Sequence, residues 1–242
     1  MRLPCSGFGI CRKVMNCAID HIPMYPILLT LKTISRAKLS GLMILSGLLA
    51  VLVVAGLVAV ITGLTATLVH FKTGWLDTVF NWVTGIATGI GGWFMLPVFT
   101  VLIGGIFQET VIQKVERTYY PGALQKQGPT FWADLAHDIR FTLKALFLNL
   151  LAMPFYFIGI GFAISIVLNS YLLGREFFEG VAGYHLGKDE AGELARKHPR
   201  MVYGGGFAIT LISLAPVLNL FVPILAVVWM VHVYHRIQEQ GK

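Results

Sequence analysis

Charged side chains are scarce in this sequence of 242 residues: only 13% are charged, whereas 56% are hydrophobic. A water-soluble domain has about 25% charged residues, and a chain of this length cannot hide so much apolar surface inside a globule in water. The shortage excludes an ordinary soluble domain and indicates that lipid surrounds most of the chain. The net charge of +7 forms no long basic tract, so we expect membrane-surface anchors and no nucleic-acid partner.

Cysteine and catalytic motifs are also scarce. Cys5, Cys11 and Cys17 lie in the first seventeen residues, and their spacing fits no zinc or redox motif. The sequence contains no phosphate-binding loop of the Walker type, no zinc-protease motif and no serine-hydrolase elbow. The seven histidines show no ligand cluster along the sequence, and His232 and His235 are expected at a membrane interface. We therefore predict no enzyme, no catalytic residue, no metal and no cofactor.

The amino-terminal segment differs from the rest in composition. Residues 1–23 have no apolar core of signal-peptide length, and we expect a loose leader with Met24 at or near the start of the folded part. Residues 24–236 are predicted to form a single helical membrane domain. Residues 237–242 are predicted to be a short polar tail.

Two long apolar stretches are present. Leu39–Phe71 contains no Asp, Glu, Lys or Arg, and a helix of that length measures roughly 50 Å, against about 30 Å for the hydrocarbon core. The second span is predicted from about Trp82 to Phe107, after a short turn region at Lys72–Asn81. It should continue as a helix until Pro121 and the following glycine stop it. Both are predicted to cross the membrane.

Two further apolar stretches flank a polar segment, Asn169–Arg200, and each is interrupted. Ala145–Leu168 is broken at Pro154 and two nearby glycines, and Met201–Val233 is broken at Pro216 and a second proline. A proline at the centre of a membrane frees backbone groups that lipid cannot satisfy. We predict a re-entrant helical hairpin for each stretch. The alternative is a kinked full span for each, which gives four spans in total.

The distribution of Lys and Arg distinguishes these topologies. Four spans place thirteen of the nineteen cations on the amino-terminal side and six on the other side. Two spans with two hairpins place eighteen on one side and only Lys72 on the other. The positive-inside rule favours the second arrangement. The predicted fold is therefore an all-α integral membrane protein with two long transmembrane helices and two hairpins broken by Pro and Gly.

Three passages resemble the CysZ-type sulfate permeases of the etoposide-induced 2.4 superfamily. They are Phe107–Gly122, Asn169–Glu179 and Pro216–Pro223, and the likeness covers roughly Met24–Arg236. It implies a homo-oligomer in the bacterial inner membrane that admits sulfate for cysteine synthesis, with the lipid bilayer and a sulfate-like anion as partners. A non-transporting scaffold or interaction protein of the same fold is the alternative.

Candidate anion-binding residues follow from the chemistry of a compact dianion, which needs cations or N–H groups in place of water. Family members often carry a Gly-Leu-Arg-like turn before the first span, whereas this sequence has Ser35-Arg36-Ala37-Lys38 there. The candidates are Arg36, Lys38 and Arg175. Each of them is also suited to anchor the chain at lipid headgroups. Arg175 is four residues before Glu179, a spacing that favours pairing within a helix.

Three polar residues are candidates for lining a pore or for structural hydrogen bonding. They are Asn169, Glu179 and Asn219, and both asparagines are predicted at membrane depth, where an amide needs a partner. Asn219 is expected to supply amide hydrogen bonds to the turn between two prolines. The triplet Gly204–Gly206 is expected to allow close helix packing, with an anion-binding helix start as the alternative.

Overall fold

The computed structural model describes residues 25–69, 74–122 and 131–240. Within these ranges all regular structure is α-helical. The helices are α1 (Tyr25–Arg36), α2 (Ser40–Leu68), α3 (Gly74–Tyr119), α4 (Phe131–Ala152), α5 (Pro154–Phe157), α6 (Gly161–Leu186), α7 (Lys188–Lys197), α8 (Pro199–Ser213), α9 (Pro216–Asn219) and α10 (Val222–Gln240). The fold is that of an all-α membrane protein, as predicted. The predicted leader and the three cysteines lie outside the described residues.

Helices α2 and α3 are the two long apolar helices. Helix α3 begins at Gly74 and runs uninterrupted for 46 residues, through Pro97. The predicted turn region over Lys72–Asn81 is therefore wrong from Gly74 onward. The helix extends beyond the predicted start of the span and includes both Trp75 and Trp82. The two helices pack closely where Gly92 faces α2, since a Cβ atom at Gly92 would lie 3.2 Å from Val54.

The first broken stretch forms a hairpin. Lys144 and Tyr171 flank it from opposite ends, yet Lys144 Nζ donates a hydrogen bond to the Tyr171 hydroxyl at 2.6 Å. A continuous helix would hold these two residues roughly 40 Å apart. The chain reverses through the short helix α5 and Gly159, whose φ of 82° suits glycine. The kinked full span is therefore wrong for this stretch.

The second broken stretch also forms a hairpin. Gly205 on α8 lies against Trp229 on α10, where a Cβ atom would be 2.9 Å from the indole nitrogen. The reversal occurs through α9, which starts at Pro216. Because both halves of the stretch lie side by side, it begins and ends on the same side of the molecule.

Contacts between distant segments place most polar elements at one end of the molecule. His185, at the end of α6, and His235, in α10, both contact Glu116, near the end of α3, within 2.8 Å. Thr33 in α1 contacts His232 at 2.9 Å. A four-span topology would put His185 and Glu116 on opposite sides of a membrane, so that alternative is wrong.

The buried core lies at this polar end and not between the apolar spans. Its largest fully buried side chains include Phe178 of α6 and Leu39 before α2. In contrast, only 22% of the eighteen most apolar consecutive residues of α2 are buried, and only 18% of those of α3. By length and composition, α2, α3 and the segment Ala136–Phe157 are each able to cross a membrane. The last of these ends at the apex of the first hairpin.

Glycine permits the closest helix crossing in the core. Helices α6 and α8 meet at Gly174 and Gly206, and a Cβ atom at Gly206 would collide with the carbonyl oxygen of Ser170. A Cβ atom at Gly174 would lie 2.7 Å from the carbonyl oxygen of Val202. Backbone cannot retreat as a flexible side chain can, so both positions require glycine. The packing role expected for the triplet is confirmed at Gly205 and Gly206, whereas Gly204 faces open space.

Candidate functional site

The first candidate residues, Arg36 and Lys38, lie on a tight turn between α1 and α2. Lys38 adopts a left-handed conformation with φ 52°. The N–H of Leu39 bonds the carbonyl of Ile34 at 3.0 Å, and the N–H of Lys38 bonds the carbonyl of Ser35 at 3.4 Å. These two bonds define a Schellman motif, in which glycine is the usual left-handed residue. The turn that a two-cation site requires is therefore present.

The turn presents positive groups to the surroundings. Arg36 and Lys38 are both exposed, and α2 begins at Ser40, two residues later. No side chain in the described part of the chain caps this helix start through a hydrogen bond. The first N–H groups of an α-helix lack partners within the helix and carry a partial positive charge. Two cations and a helix start together form a surface that suits an oxyanion.

The third cation, Arg175, is buried with an exposed fraction of 8% and pairs with acid. Its Nε donates to Glu179 Oε1 at 2.5 Å, and Nη2 contacts the same oxygen. The other carboxylate oxygen, Oε2, lies 2.9 Å from His137 Nε2. The pairing that the four-residue spacing favours is thus present. Because Glu179 offsets its charge, Arg175 is less suited than Arg36 to hold a dianion.

A second cation lies near Arg175 at the base of the first hairpin. Arg175 Nη1 donates to the Tyr171 hydroxyl at 3.2 Å, and that hydroxyl also accepts from Lys144. Tyr171 and the exposed Lys144 line one end of an otherwise apolar cavity of about 700 Å³ between α4 and α6. Sequence reasoning did not single out Lys144, since only the reversal of the hairpin brings it to Arg175.

The two asparagines are not part of either cationic group. Asn169 Nδ2 donates to Ser165 Oγ at 3.1 Å within α6, which is a structural hydrogen bond. Asn219 is half-buried at the end of α9, where its backbone N–H bonds the carbonyl of Ala215 at 2.9 Å. No hydrogen bond from its side chain to a described residue is observed, so the amide support expected for the turn stays a prediction.

Glu116, His185 and His235 form a buried polar cluster. Glu116 has an exposed fraction of 0%, and its Oε1 accepts hydrogen bonds from both histidines. The distances from Oε1 are 2.7 Å to His185 Nε2 and 2.8 Å to His235 Nε2. The second carboxylate oxygen, Oε2, is buried and has no hydrogen-bond partner among the described residues. Burying a carboxylate oxygen without a partner is costly.

Hydrogen bonds connect His232, one turn before His235, to helix α1. The Thr33 hydroxyl donates to the carbonyl of Leu29 at 2.7 Å, so it accepts from His232 Nε2–H at 2.9 Å. His232 Nδ1 then accepts from the Tyr120 hydroxyl at 2.8 Å. Burial, with a smaller effect of nearby His235, lowers the pKa of His232 to about 4. His232 is therefore neutral at neutral pH, in agreement with the tautomer that these bonds define.

These contacts correct the sequence-based expectation for the histidines. His232 and His235 are buried and are not at an open interface. The histidine cluster is invisible in the sequence because His185 and His235 lie 69 and 119 positions from Glu116. The sequence near Glu116 gives one indication of its burial. Glu116 follows Ile112 by four residues, so the two side chains lie on the same face of α3, and that face is apolar.

These features define a class, namely a multi-pass helical membrane protein with cationic and buried polar groups at one end. Residues 27–223 match the family described as Sulfate transporter CysZ/Etoposide-induced protein 2.4. Since the match covers most of the chain, the chain belongs to this family. Comparison with curated proteins and with solved structures gives no significant match.

Proposed function

We propose that the protein is a permease for sulfate or a similar small oxyanion. It acts as a homo-oligomer in the bacterial inner membrane and supplies sulfur for cysteine synthesis. Family membership supports transport of this kind. No ion pair with an acid involves Arg36 or Lys38 in the described part of the chain, so their charges are available to an anion.

The observation that carries the proposal is the turn before α2. Arg36 and Lys38 are exposed on it, and the uncapped start of a long apolar helix follows directly. A dianion that approaches this turn finds two cations and free N–H groups, which replace water without enclosing the ion. An open site of this kind binds weakly enough to release the ion, as conduction requires.

Electrostatics limits how such a permease operates. Moving a dianion into a cell with a negative interior costs about 4.6 kcal/mol at 100 mV, from roughly 2.3 kcal/mol per charge. Net uptake therefore needs either coupling to protons or rapid consumption of sulfate inside. Flux measured with and without a proton gradient separates these two mechanisms.

Labelled-sulfate uptake into proteoliposomes that contain the purified protein tests the proposal. We expect uptake above that of protein-free liposomes, with competition by sulfite and molybdate defining the substrate range. Uptake no higher than in protein-free liposomes, from protein that is folded and assembled, would contradict the permease and favour a scaffold.

A paired variant tests the turn itself. Replacing Arg36 and Lys38 by Ala should weaken sulfate binding about tenfold, because exposed cations contribute modestly in water. The control replaces Arg196 and Lys197, two exposed cations of α7, by Ala. Calorimetry and uptake should be unchanged in the control. Equal sulfate affinity in both double variants would show that the turn only anchors the chain at headgroups.

A further inference from the structure

We propose that Glu116, His185 and His235 bind a divalent transition-metal ion, with zinc as the best match. The bound ion would fasten α3, α6 and α10 together at the polar end of the molecule. This inference is independent of the proposed transport function.

The donor set matches the ion. One ligand atom from each of the three side chains lies within 4.8 Å of the other two. Two imidazoles and one carboxylate are an established zinc-binding set, with metal–ligand distances of about 2.0–2.2 Å. Imidazole nitrogen also suits nickel and copper, whereas Mg²⁺ and Ca²⁺ prefer oxygen alone.

The buried carboxylate gives an independent reason to expect a cation. Glu116 is fully buried, and within the described ranges its ion-pair partners are the two histidines. Both histidines donate to Oε1, while Oε2 is buried and finds no hydrogen-bond partner within residues 25–69, 74–122 and 131–240. A carboxylate removed from water normally pairs with a charge or coordinates a metal. A dication among these three groups would satisfy Oε2 and would offset the buried negative charge.

Aromatic stacking already orients the two imidazoles. The Tyr234 ring stacks on His185 with an interplanar angle of 2° and a centroid distance of 5.0 Å. The Tyr120 ring stacks on His235 at 3.8 Å and 19°. Each imidazole is thereby held with Nε2 toward Glu116. To bind the metal, each Nε2 would give up the proton that it donates to Glu116, and that proton would move to Nδ1 of the same ring by a change of tautomer or leave to solvent.

The required rearrangement is small. Tetrahedral zinc separates its ligand atoms by roughly 3.4 Å, given metal–ligand distances of about 2.1 Å. The present separations from Glu116 Oε1 are 2.7 Å to His185 and 2.8 Å to His235. Each imidazole nitrogen would therefore move away from Oε1 by less than about 1 Å. The two nitrogens lie within 4.8 Å of each other, so reaching a separation of about 3.4 Å changes their distance by no more than about 1.4 Å, which side-chain rotation can accommodate. A water molecule or Oε2 would complete the coordination.

The decisive experiment measures zinc in full-length protein without an affinity tag. Cys5, Cys11 and Cys17 are replaced by Ser beforehand, so that no thiol contributes. The protein is stripped with chelator, loaded with ZnCl₂ and dialysed, and its metal content is determined. We expect one zinc per chain, and X-ray absorption at the zinc edge should show two imidazoles with oxygen ligands. Zinc, but not Mg²⁺, should raise the unfolding temperature.

Variants identify the ligands. Replacing His185 and His235 by Ala should abolish the bound zinc, while the matched pair His137→Ala and His198→Ala should retain it. Glu116→Gln keeps the size of the side chain and should weaken zinc affinity at least about tenfold. Absence of zinc from the loaded protein, or a zinc spectrum without two imidazoles, would overturn the proposal. These two readouts use the intact cluster and decide the matter even if a variant fails to fold.

Discussion

The apolar halves of α2 and α3 and the polar end of the molecule have opposite surroundings. In the apolar halves, large side chains point outward, and fewer than a quarter of the most apolar residues are buried. At the polar end, α10 is buried along nearly its whole length, and its histidines lie within the core. The difference indicates that the apolar halves of α2 and α3 are covered by lipid or by another copy of the chain. The polar end is instead stabilised by tertiary packing within the chain.

This difference should appear most strongly when one aromatic ring is removed from each region. Phe178 is fully buried, whereas Phe157, at the first hairpin apex, is 85% exposed. Phe178→Ala should destabilise the detergent-solubilised protein by about 3–5 kcal/mol, because a buried cavity remains. Phe157→Ala should cost less than about 1 kcal/mol. Thermal unfolding of both variants measures this, and equal losses would contradict the division.

A smaller effect is expected from adding one methyl group within the polar end. Gly206→Ala places a Cβ atom against the carbonyl of Ser170, and Gly204→Ala places one in open space. We expect a loss of about 3 kcal/mol for the first, since overpacking forces backbone to shift. The second should be neutral or stabilising by up to about 1 kcal/mol, because Ala favours helix. Unfolding curves that coincide for the two variants would argue against the α6–α8 crossing.

Much of the fold could be predicted from composition and backbone chemistry. The charge-free stretch predicts α2, and the prolines and glycines near Pro154 and Pro216 predict the reversals, because helix cannot continue unaided past such residues. The distribution of Lys and Arg predicts which segments between the apolar stretches lie on the same side of the membrane. Helix α3 starts at Gly74, before the predicted start near Trp82. Gly74, Asp77 and Asn81 favour a turn because they are weak helix formers, yet all three lie within the helix.

The candidate sites were predicted less completely, because they depend on contacts between distant residues. Arg36 and Lys38 are adjacent to a predictable helix boundary, so the turn could be predicted from the sequence. The pairing of Arg175 with Glu179 follows from helical spacing alone. The Glu116 cluster combines three helices, and no spacing rule connects residues so far apart in the chain.

Side-specific labelling tests the membrane topology most directly. The positive-inside rule predicts that the polar end, which carries most of the Lys and Arg residues, lies on the cytoplasmic side. Gly187 has φ 84°, so cysteine there would be strained, and the exposed Glu190 of α7 is a better site. In a cysteine-free background, an impermeant maleimide should label Gly74→Cys in intact cells. Glu190→Cys and Gln240→Cys should react only after permeabilisation. Strong labelling of Glu190→Cys in intact cells would contradict this account.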